Sequence, residues 1–260
     1  YNSYIFSDHI LHFYYLGGPD FILGPESDPA SRNILGVMEK VGLDIGKEVI
    51  KHRSYGQKII KTLAGDAIQP VSCTAGGVTK GLTEDERKDI EGKARSCLDF
   101  ARFTLETFDD IVLENEEYVE LICSDPYRLD TNYMGLVDDN SKVNFYDGDV
   151  RTVDVSGNEI DRFEDNSYLD YISEKVHDTW TYLKFPYLKK IGWNGIKSGK
   201  DSGIYRVGTL ARLNTSEGMS TPLAQQQYDR MYEILDERPV HATLAYHWAR
   251  LIEVLFAAER

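Results

Sequence analysis

The sequence lacks the paired cysteines that usually mark a metal-thiolate or redox site. Its 260 residues contain three cysteines, Cys73, Cys97 and Cys123, and none of them forms a CxxC pair. Such pairs are a common sign of zinc binding or of disulfide exchange. Their absence argues against a self-contained site of this type, and we expect three buried, reduced thiols.

Positive charge and long apolar runs are also scarce. The chain has 29 Lys and Arg against 43 Asp and Glu, a formal net charge of -14. A negative surface repels nucleic-acid phosphates and anionic lipid headgroups, so neither is an expected partner. No apolar run approaches the roughly 20 residues of a spanning helix, and the N-terminus has no secretion signal. We therefore expect a cytoplasmic chain without membrane insertion.

Two segments resemble a known ligand-binding motif but lack a residue that the motif requires. The glycine-rich segment 66–82 lacks the spacing of a phosphate-binding loop, because Gly81 rather than Ser or Thr follows Lys80. Segment 138–144 contains calcium-type oxygen ligands, but Lys142 occupies a ligand position and no glutamate closes the site. The first is predicted to be a shaped connection, and the second an acidic hairpin turn.

Most of the chain shows the periodicity of packed helices. Apolar residues recur every three to four positions in several segments, one of which begins with the Thr83–Glu86 capping-box pattern. Gly17, Gly18 and Pro19 are expected to end the first helix. The predicted helices are 1–16, 44–64, 84–108, 168–176, 222–235 and a last one from about Val240.

Residues 133–163 have a different pattern, with short alternating stretches between turn residues. The stretches YMGLV, VNFYD, VRTVDV and NEIDRF predict four antiparallel strands. The predicted class is therefore α+β, a mainly helical body over 1–125 and 165–260 with a small antiparallel β insertion at about 133–163.

Four polar residues stand in apolar surroundings. His9 and His12 are three residues apart on the first helix and could share a metal, but without a nearby thiolate or carboxylate signature, hydrogen-bonded core or interface histidines fit better. Arg206 and Arg212 each require a planar acceptor, so a buried ion pair and a subunit contact both remain open. The residues alone predict no catalytic group and no metal ligand in this chain.

Five blocks occur together in one order. They are SDHILHFYYLGGPDF at 7–21, PVSCTAGGVTKGLTEDER at 70–87, YLKFPYLKKIGW at 182–193, GIYRVGTLARLN at 203–214 and TLAYHWARLIEVLFAAER at 243–260. In order and spacing the whole chain resembles the central part of a nickel-iron hydrogenase large subunit, of the cytoplasmic methyl-viologen-reducing and deazaflavin-linked group.

The resemblance implies an oxidoreductase whose metal centre is held outside these residues. In that family four cysteines in two CxxC motifs bind nickel, and two of them bridge to an iron with cyanide and carbon monoxide ligands. Thiolates suit this chemistry because they donate charge to the metals. The parent is then expected to oxidise dihydrogen reversibly with an iron-sulfur small subunit, whereas this chain, lacking both motifs, should carry no cofactor and be inactive. The alternative is a metal-free docking or assembly module, like the quinone-side subunit of respiratory complex I.

The resemblance also assigns scaffold positions. His9 and His12 are expected near the buried centre, and Arg212 lies in the LAR block. Gln69 stands where many relatives have histidine, in the region facing the small subunit, and Gly76 and Gly77 are expected in a loop facing the same partner.

Both ends of the chain interrupt a helical pattern, so we expect a fragment. Loss of the flanking segments is expected to expose apolar faces on Tyr1–Leu16 and Val240–Phe256 and to favour self-association.

Overall fold

The structure, a computed structural model, describes residues 1–260 and divides into two compact units. The first unit comprises residues 1–119 and 250–260, and the second comprises residues 120–249. Helices and short antiparallel sheets account for the regular structure, which confirms the predicted α+β class. No helix is both long and apolar enough to cross a membrane.

The first unit is helical apart from one small hairpin. The hairpin pairs β1 (Cys73–Thr74) with β2 (Gly77–Val78). Two π-helical turns, His12–Gly17 and Asp109–Leu113, extend the helices before them. The helices of this unit are α1 (Asn2–Leu11), α2 (Gly18–Leu23), α3 (Ile34–Val41), α4 (Leu43–Ala64), α5 (Glu84–Phe108), the first part of α6 (Glu116–Cys123) and residues 250–259 of α10 (Ala245–Glu259).

The first helical segment continues past the point where it was expected to end. The π-helical turn passes directly into α2, and Pro19 lies in the first turn of α2, where its missing N–H is not needed. The actual end is Gly24, whose φ of 92° lies in the region that favours glycine. The prediction that Gly17, Gly18 and Pro19 break the helix is therefore wrong.

The predicted boundaries of α4 and α5 are confirmed. Gly65 follows α4 with φ 81°, and Thr83 caps α5. The Glu86 N–H donates to Thr83 Oγ1 at 3.3 Å, and the Thr83 N–H donates to Glu86 Oε2 at 3.0 Å, which completes the capping box. Helix α1 packs against α4 closely because Gly56 has no side chain: a Cβ there would lie 2.9 Å from the Ser3 carbonyl oxygen.

The second unit is built on a four-stranded sheet. Its strands, in spatial order, are β5 (Glu159–Phe163), β4 (Asp149–Val153), β3 (Asn132–Val137) and β8 (Tyr205–Arg206), with β3 antiparallel to β4 and parallel to β8. A separate hairpin pairs β6 (Ile172–Val176) with β7 (Lys184–Leu188). The α-helices wholly within this unit are α7 (Tyr168–Tyr171), α8 (Thr209–Thr215) and α9 (Pro222–Leu235).

Three of the four predicted strands of the β insertion are present, and VNFYD at 143–147 is not one. Only Val143 forms an isolated bridge, to Val137. The chain turns instead, because Asp138 Oδ1 accepts the backbone N–H groups of Asn140 and Lys142, each at 2.9 Å. The predicted acidic hairpin turn is thereby confirmed.

Two helix predictions in this unit are wrong in extent. Only Tyr168–Tyr171 of the predicted helix 168–176 is helical, since Ile172–Val176 pairs with Lys184–Leu188. The last helix begins at Ala245 rather than near Val240. The preceding segment makes other backbone bonds, in which the Leu129 N–H donates to the His241 carbonyl and the Thr243 N–H donates to the Tyr127 carbonyl. Helix α9, in contrast, has the predicted bounds.

The observed exposure of side chains contradicts two further expectations. In α10, Trp248, Leu251, Ile252, Leu255 and Phe256 are at most 2% exposed, so the expected exposure of Val240–Phe256 is wrong. On the first segment Tyr1, Tyr4 and Leu16 are exposed, while Phe6 and Ile10 are buried. All three cysteines are free, but only Cys97 is buried, and the expectation of burial is wrong for Cys73 and Cys123.

Candidate functional site

A buried imidazole-carboxyl pair lies in the first unit. His9, on α1, is 5% exposed and Glu253, on α10, is fully buried. His9 Nε2 and Glu253 Oε2 are 2.9 Å apart, so one hydrogen bond joins the imidazole and the carboxyl group. Sequence reasoning selected His9 and overlooked Glu253, although a single acid within the apolar run LIEVLF was a usable signal.

The other ring nitrogen of His9 is also buried and lies near the Asp8 carboxyl group. His9 Nδ1 lies 3.4 Å from Asp8 Oδ2, but the two atoms do not form a hydrogen bond. The Asp8 side chain is 46% exposed. His9 therefore stands between a carboxyl group that is removed from water and one that solvent reaches.

His12 follows one turn later in a positively charged neighbourhood. Burial lowers its pKa from 6.5, and the nearby Arg250 and His9 lower it further, against the opposing charge of Asp8. In residues 1–260 no group of three or more His, Cys, Asp or Glu side chains is arranged to hold a metal ion. In the structure His9 is a hydrogen-bonded core histidine, which is the alternative that the sequence favoured over a metal ligand.

His12 is expected to be neutral at pH 7 and to make the first unit less stable in acid. Its folded pKa lies below the unfolded value of 6.5, so the stabilisation is present above about pH 6.5 and is lost as pH falls through the folded pKa. Imidazole NMR of the wild-type chain, with a His12→Gln variant for assignment, measures the titration. A His12 midpoint at or above 6.5 would contradict the expectation.

Three predicted site residues lie on the exposed connection between α4 and α5. Asp66 Oδ1 accepts the N–H groups of Ile68 and Gln69 at 2.7 and 3.2 Å, which fixes the start of this loop. Gly76 turns the β1–β2 hairpin with φ 84°, and a Cβ on Gly77 would meet nothing within 4 Å. The loop presents apolar side chains to solvent: Ile68 is 87% exposed, Val71 61% and Val78 68%.

The two arginines belong to the second unit. Arg206 donates to the His241 carbonyl at 3.2 Å and to Thr243 Oγ1 at 2.8 Å, and its guanidinium lies 5.9 Å from the Tyr246 ring. Its acceptors are neutral, so the ion-pair hypothesis is wrong for Arg206. Arg212, in α8, places its guanidinium 5.5 Å from the Phe145 ring.

Comparison with known proteins gives a consistent result over the whole chain. The chain is 46% identical over 259 residues to an F420-non-reducing hydrogenase iron-sulfur subunit of Archaeoglobus profundus, covering 100% of this chain and 53% of that protein. It is 33% identical over 257 residues to the NAD-reducing hydrogenase HoxS subunit beta of Cupriavidus necator, covering 96% of this chain and 50% of the relative. No protein-family model matches the sequence.

A solved structure supports the same relationship to hydrogenases. The NAD⁺-reducing nickel-iron hydrogenase in the H2-reduced state superposes with a TM-score of 0.87 and 32% identity, covering 99% of this chain and 55% of the other. The chain belongs to the nickel-iron hydrogenase large subunits. It spans about half the length of the curated relatives that it matches. A nickel-iron-selenium hydrogenase of Desulfovibrio vulgaris Hildenborough, at 16% identity and a TM-score of 0.63, shares the fold.

The thiols of this part of a hydrogenase large subunit do not fit a nickel-iron centre. Cys73 is exposed on the β1–β2 hairpin and Cys97 is buried in α5. Burial raises the pKa of the Cys97 thiol to about 12, and burial together with the Glu237 carboxylate raises that of Cys123. Metal coordination requires clustered thiolates, whereas these residues supply separate thiols, two of which favour the neutral form.

Proposed function

We propose that this chain is part of the large subunit of a nickel-iron hydrogenase that oxidises dihydrogen reversibly and exchanges electrons with a redox partner in the cytoplasm. The observation that carries the proposal is the superposition, at 32% identity, on an NAD⁺-reducing nickel-iron hydrogenase over 99% of this chain. The relatives named as hydrogenase subunits at 33 and 46% identity support it.

The contribution of these residues to the reaction is structural. Splitting dihydrogen between a metal and a base is the chemistry that a nickel-iron centre supplies in the intact subunit. The 260 residues bring three dispersed thiols, which is an unsuitable donor set, so we expect no turnover by this chain alone. They do supply packed helices and a buried polar pair.

We propose that the exposed loop 66–82 contacts an iron-sulfur small subunit. Ile68, Val71 and Val78 are more than half exposed, although apolar side chains of this size usually lie inside a protein. The loop also has a defined backbone, held by the bonds to Asp66 and by the β1–β2 pairing. Exposed apolar groups on a shaped segment are typical of interaction surfaces. Gln69, Gly76 and Gly77 would then lie at this interface.

The proposal is tested by expressing the complete parent large subunit with its small subunit, and the 260-residue chain separately. Elemental analysis measures nickel, and reduction of a dye by dihydrogen measures activity. We expect stoichiometric nickel and turnover in the complete protein, and neither in the chain. Turnover by the chain alone would contradict the expectation that the 260-residue chain is inactive. A nickel-free, inactive parent that still binds its partner would favour the metal-free docking module.

A second experiment tests whether loop 66–82 contacts the small subunit. Val78→Asp places a charge on the exposed hairpin, and Leu35→Asp places one on α3, where Leu35 is comparably exposed at 72% against 68%. Copurification of the parent with its small subunit should be lost with Val78→Asp and retained with Leu35→Asp, because desolvating an unpaired carboxylate disfavours binding. Equal copurification of both variants would place the interface elsewhere.

A further inference from the structure

A buried histidine joins α4 and α5, the two longest helices of the first unit. His52, on α4, is 4% exposed, and its imidazole stacks on the Phe100 ring of α5 with a centroid distance of 4.3 Å and an interplanar angle of 2°. Tyr55, also on α4, meets the imidazole edge-to-face at 5.6 Å. Aromatic contacts of this geometry stabilise packed interfaces. The imidazole is therefore part of the contact between the two helices.

Both ring nitrogens of His52 have a partner that suits the neutral imidazole. Nδ1 lies 2.8 Å from the Glu48 carbonyl oxygen, which can only accept, so Nδ1 carries the proton and donates it. Nε2 of the neutral ring is then an acceptor, and the Ser96 hydroxyl at 2.9 Å donates to it. The second bond runs from α5 to α4. A neutral His52 thus satisfies both of its ring nitrogens within the helix pair.

The surroundings of the ring oppose a second proton. Burial is the largest effect and lowers the pKa of His52 from 6.5, and the Lys51 charge also lowers it. The backbone bond to Glu48 and the charges of Glu48 and Asp99 raise this pKa, but they do not offset burial. Because the folded pKa lies below the unfolded value of 6.5, the stabilisation is present above about pH 6.5 and is lost as the pH falls through the folded pKa.

We propose that His52 is an acid-sensitive switch, which holds α4 and α5 together while it is neutral and loosens the pair when it takes up a proton. The proton binds to Nε2, so the Ser96 hydroxyl can no longer donate to that atom. The resulting imidazolium is held away from water, which is costly for a charged group. A groove of about 440 Å³, lined in part by His52, Ser96, Phe100 and Phe103, gives the ring room to leave the stack.

The switch bears on the small-subunit contact proposed above, and in this respect it rests on that proposal. Loop 66–82 joins the end of α4 to the start of α5, so the position of the loop depends on how the two helices pack. Loosening of the pair in acid should therefore weaken binding of the iron-sulfur small subunit. The proton uptake and the change in packing belong to this chain and need no partner.

Hydrogen exchange of backbone amides in the 260-residue chain tests the switch. The measurement is made in a His12→Gln background, which removes the acid sensitivity expected of His12. Protection factors in α4 and α5, corrected for intrinsic exchange, should fall about threefold or more between pH 7 and pH 5, while those of α9 stay constant. His52→Phe keeps a ring on Phe100 and cannot take up a proton, so its factors should be equal at both pH values. Unchanged protection in the background chain, or a loss that persists in His52→Phe, would overturn the switch.

A second substitution keeps the test decisive if His52→Phe fails to fold. Glu48→Gln removes a carboxylate whose Oε2 lies 3.5 Å from His52 Nδ1, and it leaves the bond to the Glu48 carbonyl in place. The His52 midpoint, read from imidazole NMR, should move to lower pH, and the loss of protection in α4 and α5 should move with it. Glu39→Gln, on α3, should move neither. Protection that is lost at the same pH in both variants would contradict the switch.

The effect on the partner is measured separately, in the complete large subunit. Copurification of the small subunit at pH 5.5, relative to pH 7, should fall for the wild type and be retained with His52→Phe. An equal fall in both would overturn the link between the switch and the partner. A wild-type parent that binds no small subunit even at pH 7 would contradict the proposed contact, while amide exchange in the chain would still decide the switch.

Discussion

Glu253→Ala should lower the free energy of unfolding by about 3–5 kcal/mol, the usual cost of leaving one member of a buried polar pair without its partner. His9 is 5% exposed, so its Nε2 has no access to water that could replace the lost carboxylate oxygen. Urea denaturation of the 260-residue chain, followed by helical circular dichroism and by hydrogen exchange of α1 amides, measures the loss.

Two further variants separate the lost bond from the lost volume. Glu253→Gln keeps an acceptor for His9 and should cost about 1 kcal/mol, near the net value of one hydrogen bond. Glu233→Ala removes an exposed glutamate from α9 and should stay within about 0.5 kcal/mol of wild type. If Glu253→Ala lowers the free energy of unfolding no more than Glu233→Ala does, the His9–Glu253 pair does not have the stabilising role proposed for it.

Gly148→Ala should be the most damaging single-methyl change in the β insertion. Gly148 precedes β4 with φ 101°, and a Cβ there would overlap the Val137 carbonyl oxygen of β3. A left-handed alanine costs about 1–2 kcal/mol. Overpacking against backbone that is fixed in the sheet adds about 1–3 kcal/mol.

Gly192→Ala is the matched control. Gly192 has a φ of 89°, but a Cβ at that position would meet nothing within 4 Å. Its alanine variant should therefore show only the conformational cost of about 1–2 kcal/mol. Both variants are compared by denaturant midpoints. Equal losses of stability in Gly148→Ala and Gly192→Ala would show that the β3–β4 connection adjusts to the added methyl group without cost.

Elements whose signals are local were predictable. The capping box sets the start of α5, and Gly65 marks the end of α4, because both depend on hydrogen bonds or dihedral angles within a few residues. Helix α9 begins at Pro222 for the same kind of reason. The five blocks also indicated the hydrogenase family, which the relatives and the solved structure confirm.

Elements whose partners are distant in the chain were predicted less well. Segment 172–176 alternates as a strand and also fits a helical turn, and its pairing with 184–188 decides for the strand. Segment 240–244 has helical periodicity but forms backbone bonds with residues near 127–129. The roles predicted for Gln69, Gly76, Gly77 and Arg212 remain predictions, because they concern a partner or centre outside these residues.

The sequence by itself determined the helical periodicities, the local caps, the family and the scarcity of thiol ligands, since each of these can be read from neighbouring residues or from composition. Tertiary structure alone decided that His9 meets Glu253, 244 positions away, and that Asp8 lies on the other side of the ring. A buried hydrogen bond satisfies two polar groups at once, and only the packed chain shows which two groups share it.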